Sequence, residues 1–415
     1  MANVVEVLDS VMGSGKTTAV LEWMDSQPEQ RYIYVSPLLS EVVEGGRVDN
    51  NTHNIAWATP STDNDEGYAT KQESLLAILR EGMSVLCTHK LYLAMTDEHM
   101  ALVEAHGYIV ILDEEVSVID GINNYSYSDI RWLMQYGHVT VCAEDGMLQW
   151  NGTEEIGKHH KYEQLKHLCD AQSLYTAKRS ESILVTQLPV RLITAAKRVI
   201  ILTYMFEGNI LDCFLRLKNI ESKPFTDVVV NQIDMEKIRS LVTIVPAPKI
   251  FTLKGKLSST WLKSASTADI RNVTNAISSV CRSTRADPAK LMYTLPRSRF
   301  HKDGRQVVVS PKGYRQYKDE DGTVKYCWLP CTIRATNDYA EKNVLIHAYR
   351  RHPLQSVNAY LQDYGQPIDI EVFALSELLQ WTWRSAIRNG EPISLCILSD
   401  KMLKLFQVWL SGGWK

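Results

Sequence analysis

Long apolar runs are missing from this sequence: none reaches the ~18 to 20 uninterrupted residues that a membrane-spanning helix requires. The opening MANVVEVLDS has no basic segment followed by an apolar core, so a secretory signal is not expected and a cytoplasmic setting is. An excess of one charge is missing too. Lys and Arg number 45 against 48 Asp and Glu, for a net charge of −3. Such a balance does not announce a basic nucleic-acid binder, and contact with a polyanion would have to come from local stripes of Lys and Arg. The eight cysteines form no paired framework, which excludes a disulfide scaffold and suits a reducing compartment. Cys327 and Cys331 make one short pair with no second pair nearby, so they read as buried thiols rather than zinc ligands. His159, His160 and His167 have no Cys or Asp partner at ligand spacing, and a metal site there is rejected. Internal repeats and low-complexity segments are absent.

What is present is an alternation of short apolar strands and helical stretches. At 415 residues the chain exceeds one ordinary core and suits two domains. Val4, Val5, Val7 and Leu8 read as a first strand stopping at Asp9, followed by a Gly-rich turn. TTAVLEWM then reads as a helix with Ala19, Val20 and Trp23 on one face. RYIYVSP, MSVLCTH, YIVILDEE and RVIILTYMF are apolar along their length, as expected of a parallel sheet covered on both faces. The polar stretch from Asn50 to Gly67 reads as an exposed loop, and residues 120–182 as an insertion with some helix. From Phe225 onward VVVNQ, SLVTIVPA, LMYTLP, RQVVVSP, NVLIHAY and ISLCILS are strand candidates of a second sheet. The expected class is therefore α/β, with domains over 1–230 and 231–415.

The segment Asp9-Ser-Val-Met-Gly-Ser-Gly-Lys-Thr17 lies between a strand and a helix, the context that gives a phosphate loop its mechanism. Gly13 and Gly15 let successive N–H groups point inward at phosphate oxygens, and the helix start adds its positive end. Met12, Gly13, Ser14, Gly15, Lys16, Thr17 and Thr18 are the expected nucleotide-binding set, with Lys16 reaching the β- and γ-phosphates and Thr17 ligating Mg²⁺. Ser10 stands where the usual pattern has its first glycine. A second half follows at Ile109-Val-Ile-Leu-Asp-Glu-Glu115, which delivers Asp113 to a strand's carboxyl edge, where open α/β sheets place ligands. Asp113 would hold Mg²⁺, directly or through water, and Glu114 would orient and deprotonate the attacking water.

On these residues the sequence resembles superfamily 2 helicases. VMGSGKTTAVLEWM is similar to their first motif, and Asp113-Glu-Glu-Val116 to their DExx box. The pair is particularly similar to herpesvirus replication-origin-binding helicases and related phage helicases. The resemblance implies two tandem RecA-like P-loop domains with parallel sheets, the first carrying the insertion. YVSPLLSEV resembles motif Ia and CTHKLYL its neighbour, implying strand contacts from Ser36, Pro37, Thr88 and His89. LTYMF resembles motif III, whose Thr203 would link the ATP site to the nucleic acid. RATNDY resembles motif V, placing Thr336, Asn337 and Asp338 in the cleft, near phosphate or ribose. QWTWRSAIR resembles motif VI, whose Gln380, Arg384 and Arg388 would act at the γ-phosphate. Arg388 stands one residue later than in many members, yet i and i+4 on a helix face one side. Trp381 and Trp383 beside them read as packing.

Basic and aromatic residues mix in TLPRSRFHK, KGYRQYK and Tyr349-Arg-Arg-His352, where rings could stack on bases and Arg297 or Arg299 hold phosphates. The function implied is an ATP- and Mg²⁺-dependent helicase or translocase on single-stranded or forked DNA, in viral or phage replication or recombination. The alternative is a nucleotide-switched protein that binds and remodels DNA without processive unwinding. A metabolic P-loop kinase does not account for the second sheet with RATNDY and QWTWRSAIR.

Overall fold

The computed structural model describes residues 4–62, 68–152, 160–232, 234–301, 307–332 and 338–414. Its chain separates into two compact units: 1–11, 15–230 and 353–369 form the first, and 12–14, 231–352 and 370–415 the second.

The first unit's strands run in chain order β1 (Val4–Asp9), β2 (Tyr32–Ser36), β3 (Trp57–Ala58), β4 (Ser84–Thr88), β5 (Ile109–Asp113), β6 (Ile119–Ile122), β7 (Val139–Val141), β8 (Leu148–Trp150), β9 (Leu174–Ala177), β10 (Ser180–Gln187), β11 (Arg198–Thr203) and β12 (Glu221–Pro224). Seven of them form one sheet in the order β12-β1-β11-β5-β2-β4-β3, every neighbour parallel. The continuous apolar runs explain this, because β2 and β5 are buried along their entire length, as strands covered on both faces must be. The Lys16–Asp25 helix buries Val20, Leu21 and Met24. The expected face was off by one position, and Trp23 instead lies edge-on to Tyr32 and Phe225 at its flank. The stretch expected as a loop after Asn50 is partly built, with Thr52 and Ile55 buried and β3 on the sheet's edge. The remainder of that expectation, 63–67, lies outside the described residues.

The insertion is a small layer of its own. β6-β10-β9 form an antiparallel sheet beside the β7–β8 hairpin. The Tyr127–Gln135 and Glu163–Asp170 helices pack Ile130, Leu133, Leu165 and Cys169 against Leu148, Leu174 and Leu184. The Gln355–Asp363 helix returns from far along the chain to join this layer. Tyr360 donates to the Asp145 carbonyl at 2.9 Å, and Arg179 donates from Nε to Asp363 at 2.7 Å.

The second unit holds β13 (Val242–Ile244), β14 (Leu291–Thr294), β15 (Gln316–Lys318), β16 (Val324–Tyr326), β17 (Val344–His347) and β18 (Ile393–Ile397). Its main sheet is parallel in the order β13-β18-β17-β14, and β15–β16 is a separate hairpin. The Thr267–Ser283 helix covers it, starting at a Ser266–Asp269 capping box and burying Ile270, Val273, Ile277 and Val280. Phe300 stacks on Trp328, centroids 4.7 Å apart, to close the core. VVVNQ forms no strand among its described residues, nor does the described part of RQVVVSP. Cys327 and Cys331 are buried and neither is in a disulfide. Among the described residues no group of three metal-binding side chains occurs, and no helix is long and apolar enough to cross a membrane.

Candidate nucleotide site at the sheet edge

Five strands of the first sheet end on a residue singled out by the sequence or adjoining one. β1 ends at Asp9, β2 at Ser36, β4 at Thr88, β5 at Asp113 and β11 at Thr203. Because all five run parallel, their last residues collect along one carboxyl edge.

The loop after β1 has the form a phosphate cradle requires. Gly13 and Gly15 have φ of 82° and 83°, a left-handed conformation that side chains disfavour, and Gly15 caps the helix beginning at Lys16. The Ser14 hydroxyl is buried without a protein partner. Lys16 folds its ammonium back onto the carbonyls of Ser10 and, at 3.2 Å, Val11. Burial pushes that ammonium down to about 8, opposed by the carboxylates of Asp113, Asp9 and Glu114. An incoming phosphate would replace both carbonyls with a full negative charge.

Thr17 donates its hydroxyl to Asp113 Oδ1 at 3.4 Å. A hydroxyl and a carboxylate oxygen so placed, beside a phosphate cradle, fit the hard-oxygen ligation of Mg²⁺. Asp113 itself is buried. Its other oxygen accepts from the Tyr34 phenol at 2.7 Å and from Arg47 Nη2 at 2.9 Å. Burial raises the carboxyl's proton affinity, while Arg47 and Tyr34 work against that rise. The Tyr34 phenol is pushed well up, by burial first and by Asp113 second. Neither Tyr34 nor Arg47 nor Glu41, which pairs with Arg47 at 3.2 Å, was anticipated from the sequence.

Beyond Asp113 the backbone turns sharply, and Glu114 sits at φ 69°. A left-handed non-glycine residue costs roughly 1 kcal/mol, which the surrounding structure must offset. The next carboxylate, Glu115, accepts from Thr203 Oγ1 at 2.7 Å and from Asn209 Nδ2 at 3.3 Å. Asp9 accepts the amides of Met205 and Phe206 at 2.8 and 2.9 Å, tying the turn after β11 to the start of the phosphate loop.

The other expected residues fall as follows. Ser36 is buried and donates to Glu41 at 2.6 Å, with Pro37 half-buried beside it. Thr88 caps the His89–Leu93 helix, and His89 Nε2 lies 3.1 Å from the Asp113 carbonyl. These side chains therefore serve the sheet edge and the carboxylate strand. Arg297 is exposed, but Arg299 is buried and caps backbone carbonyls, at 2.9 Å to Lys263, 3.2 Å to Ala265 and 3.2 Å to Val307. That task removes its guanidinium from solvent. Thr336 and Asn337 lie outside the described residues.

The expected continuous helix through Gln380, Arg384 and Arg388 is broken. The Ile370–Thr382 helix stops, Ser385 is extended, and a 3₁₀ turn spans Ala386–Asn389. Thr382 and Ser385 return their hydroxyls to Leu378 and Thr382 carbonyls, satisfying the helix end and ending its propagation. Arg384 is buried and Arg388 exposed, so the two do not share a helical face; Gln380 is half-buried, and Trp381 and Trp383 are core residues.

A seven-stranded parallel sheet in one unit and a four-stranded parallel sheet in the other make an α/β fold of the kind seen in solved XPD structures. Among solved structures, the chain is similar to the XPD helicase, with a TM-score of 0.57 and 11% identity over 99% of this chain and 95% of that one. It is also similar to apo XPD, with a TM-score of 0.54 and 12% identity over 99% and 96%. Residues 236–410 match the family described as the YonV C-terminal Rossmann-like domain. Over almost its whole length the chain is 29% identical to the SPbeta prophage-derived uncharacterized protein YonV of Bacillus subtilis (strain 168). That match spans 429 residues, 98% of this chain and 99% of the relative.

Proposed function

We propose that this protein hydrolyses ATP at the carboxyl edge of the seven-stranded sheet and uses the cycle to move along single-stranded nucleic acid. The supporting observation is the meeting of Thr17 with Asp113, 96 residues apart, beside a glycine cradle and an inward-folded Lys16. The amides of Met12 to Thr18 and the Lys16 ammonium bind the phosphates, and Thr17 and Asp113 are the residues that hold Mg²⁺. When bound, that ion neutralises charge on the β- and γ-oxygens. Glu114 then takes the proton of the attacking water. Gln380, Arg384 and Arg388 are assigned to the transferred phosphate, whose spreading charge a guanidinium stabilises.

The fold seen in XPD helicase supports a nucleic-acid track, and the prophage relative supports a phage setting in replication or recombination. DNA is preferred to RNA on the resemblance to origin-binding and phage helicases, which rests on the first two motifs. Pro37, Thr88, His89, Arg297, Thr336 and Asn337 are the proposed contacts, while buried Ser36 and Thr203 are assigned to the track through Glu41 and Glu115, to which they donate. The competing reading, a nucleotide-switched remodeller, draws on the same site and differs only in product.

ATPase rates with single-stranded DNA, duplex DNA, RNA and no polymer test the proposal, alongside strand displacement on a forked duplex. Stimulation by single strands, lost in Lys16→Ala, is the expected result. Nucleotide binding and strand binding without displacement would leave the remodeller standing; no polymer effect at all would defeat both.

A further inference from the structure

Asp113 has two carboxylate oxygens, and the fold gives them different partners. Oδ1 faces Thr17 at 3.4 Å, whereas Oδ2 is held by Arg47 at 2.9 Å and Tyr34 at 2.7 Å. The arginine is delivered by the segment that follows β2, and several contacts fix its pose. Gly46 turns so tightly that a Cβ there would meet the carbonyls of Val43, Glu41 and Ser40 at 2.8 to 2.9 Å, so only glycine allows the turn. The short Arg47–Asn50 helix is anchored by the buried Val48 and by Gly45 N–H donating to Asp49 at 2.8 Å. Glu41, held in turn by Ser36, pairs with the same Arg47 nitrogen. A cation is thus built onto the carboxylate that the proposed function gives to Mg²⁺.

We propose that Arg47 is a tethered counter-ion of the metal site, and that divalent metal and the segment Pro37–Thr52 bind Asp113 antagonistically. The inference rests on the nucleotide reading above. Divalent charge at Oδ1 draws electron density from the carboxylate and repels a guanidinium a few ångströms away, so metal loading loosens Arg47. Linkage makes this reciprocal: a strand that pulls Pro37–Thr52 outward strengthens metal binding at Thr17 and Asp113. The segment includes Ser36's neighbour Pro37, which the resemblance places against nucleic acid. Polymer binding would thereby tighten the metal–nucleotide complex through one salt bridge. Arg47 is a positioning residue in this scheme and touches no reacting atom.

Mn²⁺ binding measured by electron paramagnetic resonance with ADP present, on the full chain, gives the readout without turnover. Arg47→Gln, which removes the charge and keeps a donor, is expected to tighten Mn²⁺ by about fivefold. Tyr34→Phe removes a hydrogen bond but no charge and is expected not to tighten it. Hydrogen exchange of amides 38–52 should accelerate in wild type when Mn²⁺ and ADP are added. Unchanged or weakened Mn²⁺ binding in Arg47→Gln, or unaltered exchange, would overturn the antagonism. If wild type itself shows no ADP-dependent Mn²⁺ binding, or Asp113→Asn and Lys16→Ala leave that binding intact, the nucleotide reading fails instead.

Discussion

Two neighbouring glutamates at the end of β5 have different surroundings. Glu115 is held by Thr203 and Asn209, while Glu114 is turned out of the strand direction by its left-handed backbone. Glu114→Gln is expected to lower single-turnover hydrolysis by about 10²- to 10⁴-fold while nucleotide still binds, as removal of a general base does. Glu115→Ala is expected to act on folding, lowering stability by about 2 kcal/mol in urea denaturation because two donors lose their acceptor. Equal effects of both changes on hydrolysis would contradict these separate roles. At this scale the sequence is most readable where chemistry is contiguous. Lys16, Thr17 and Asp113 stand in motifs whose spacing carries their meaning. Tyr34, 79 residues from Asp113, opens the motif Ia stretch with no assigned role, and Arg47, 66 residues away, belongs to no motif; the parallel pairing of β2 with β5 brings the first to the carboxylate and the short Arg47–Asn50 helix the second.

Buried polar side chains at the ends of elements govern the second unit. His347, the last residue of β17, is fully enclosed, packs edge-on to Trp381 and is pushed down to about 3 by burial; its Nδ1 has no partner. The folded imidazole therefore stays neutral where the unfolded one, near 6.5, takes up a proton. Stability should be unaffected above pH 6.5 and fall as pH drops from there towards 3. At pH 5 the loss from this residue alone is about 2 kcal/mol. Urea titrations at pH 7 and 5 should show that extra acid sensitivity in wild type and its disappearance in His347→Gln. Arg299 offers a second test, since Arg299→Leu strips the donor from carbonyls around Lys263 and Ala265. A loss of about 3 kcal/mol is expected, with nucleotide binding at the other unit unchanged. Apolar strands such as LMYTLP and NVLIHAY were legible because burial imposes their composition. The helix stop at Thr382 was not, because hydroxyl back-bonding and an extended Ser385 leave no mark on periodicity.

For the whole chain, the instructive segment is 353–369, which follows most of the second unit in sequence and belongs to the first in space. Arg179 and Asp363 pair over 184 residues, and Tyr360 reaches Asp145 over 215. A fragment ending at Val230 would leave the face over β6, β9 and β10 uncovered. It is expected to bind a hydrophobic dye and to melt without a sharp transition, and a peptide of residues 353–369 should restore cooperativity. Cooperative melting of the fragment alone, at the full-length temperature, would show the return to be dispensable. Pattern reading could place strands in both halves because each strand is local. It could not see this helix change units, since amphipathic spacing names a buried face without naming what buries it.

That return also sets an order of events at the ribosome. The insertion's strands leave the exit tunnel well before their covering helix has been translated. At roughly 5 to 20 residues per second, the delay is on the order of ten to forty seconds. Throughout that interval the nascent chain carries an unfinished apolar face, so its safe synthesis depends on whatever shields that face until Asp363 arrives.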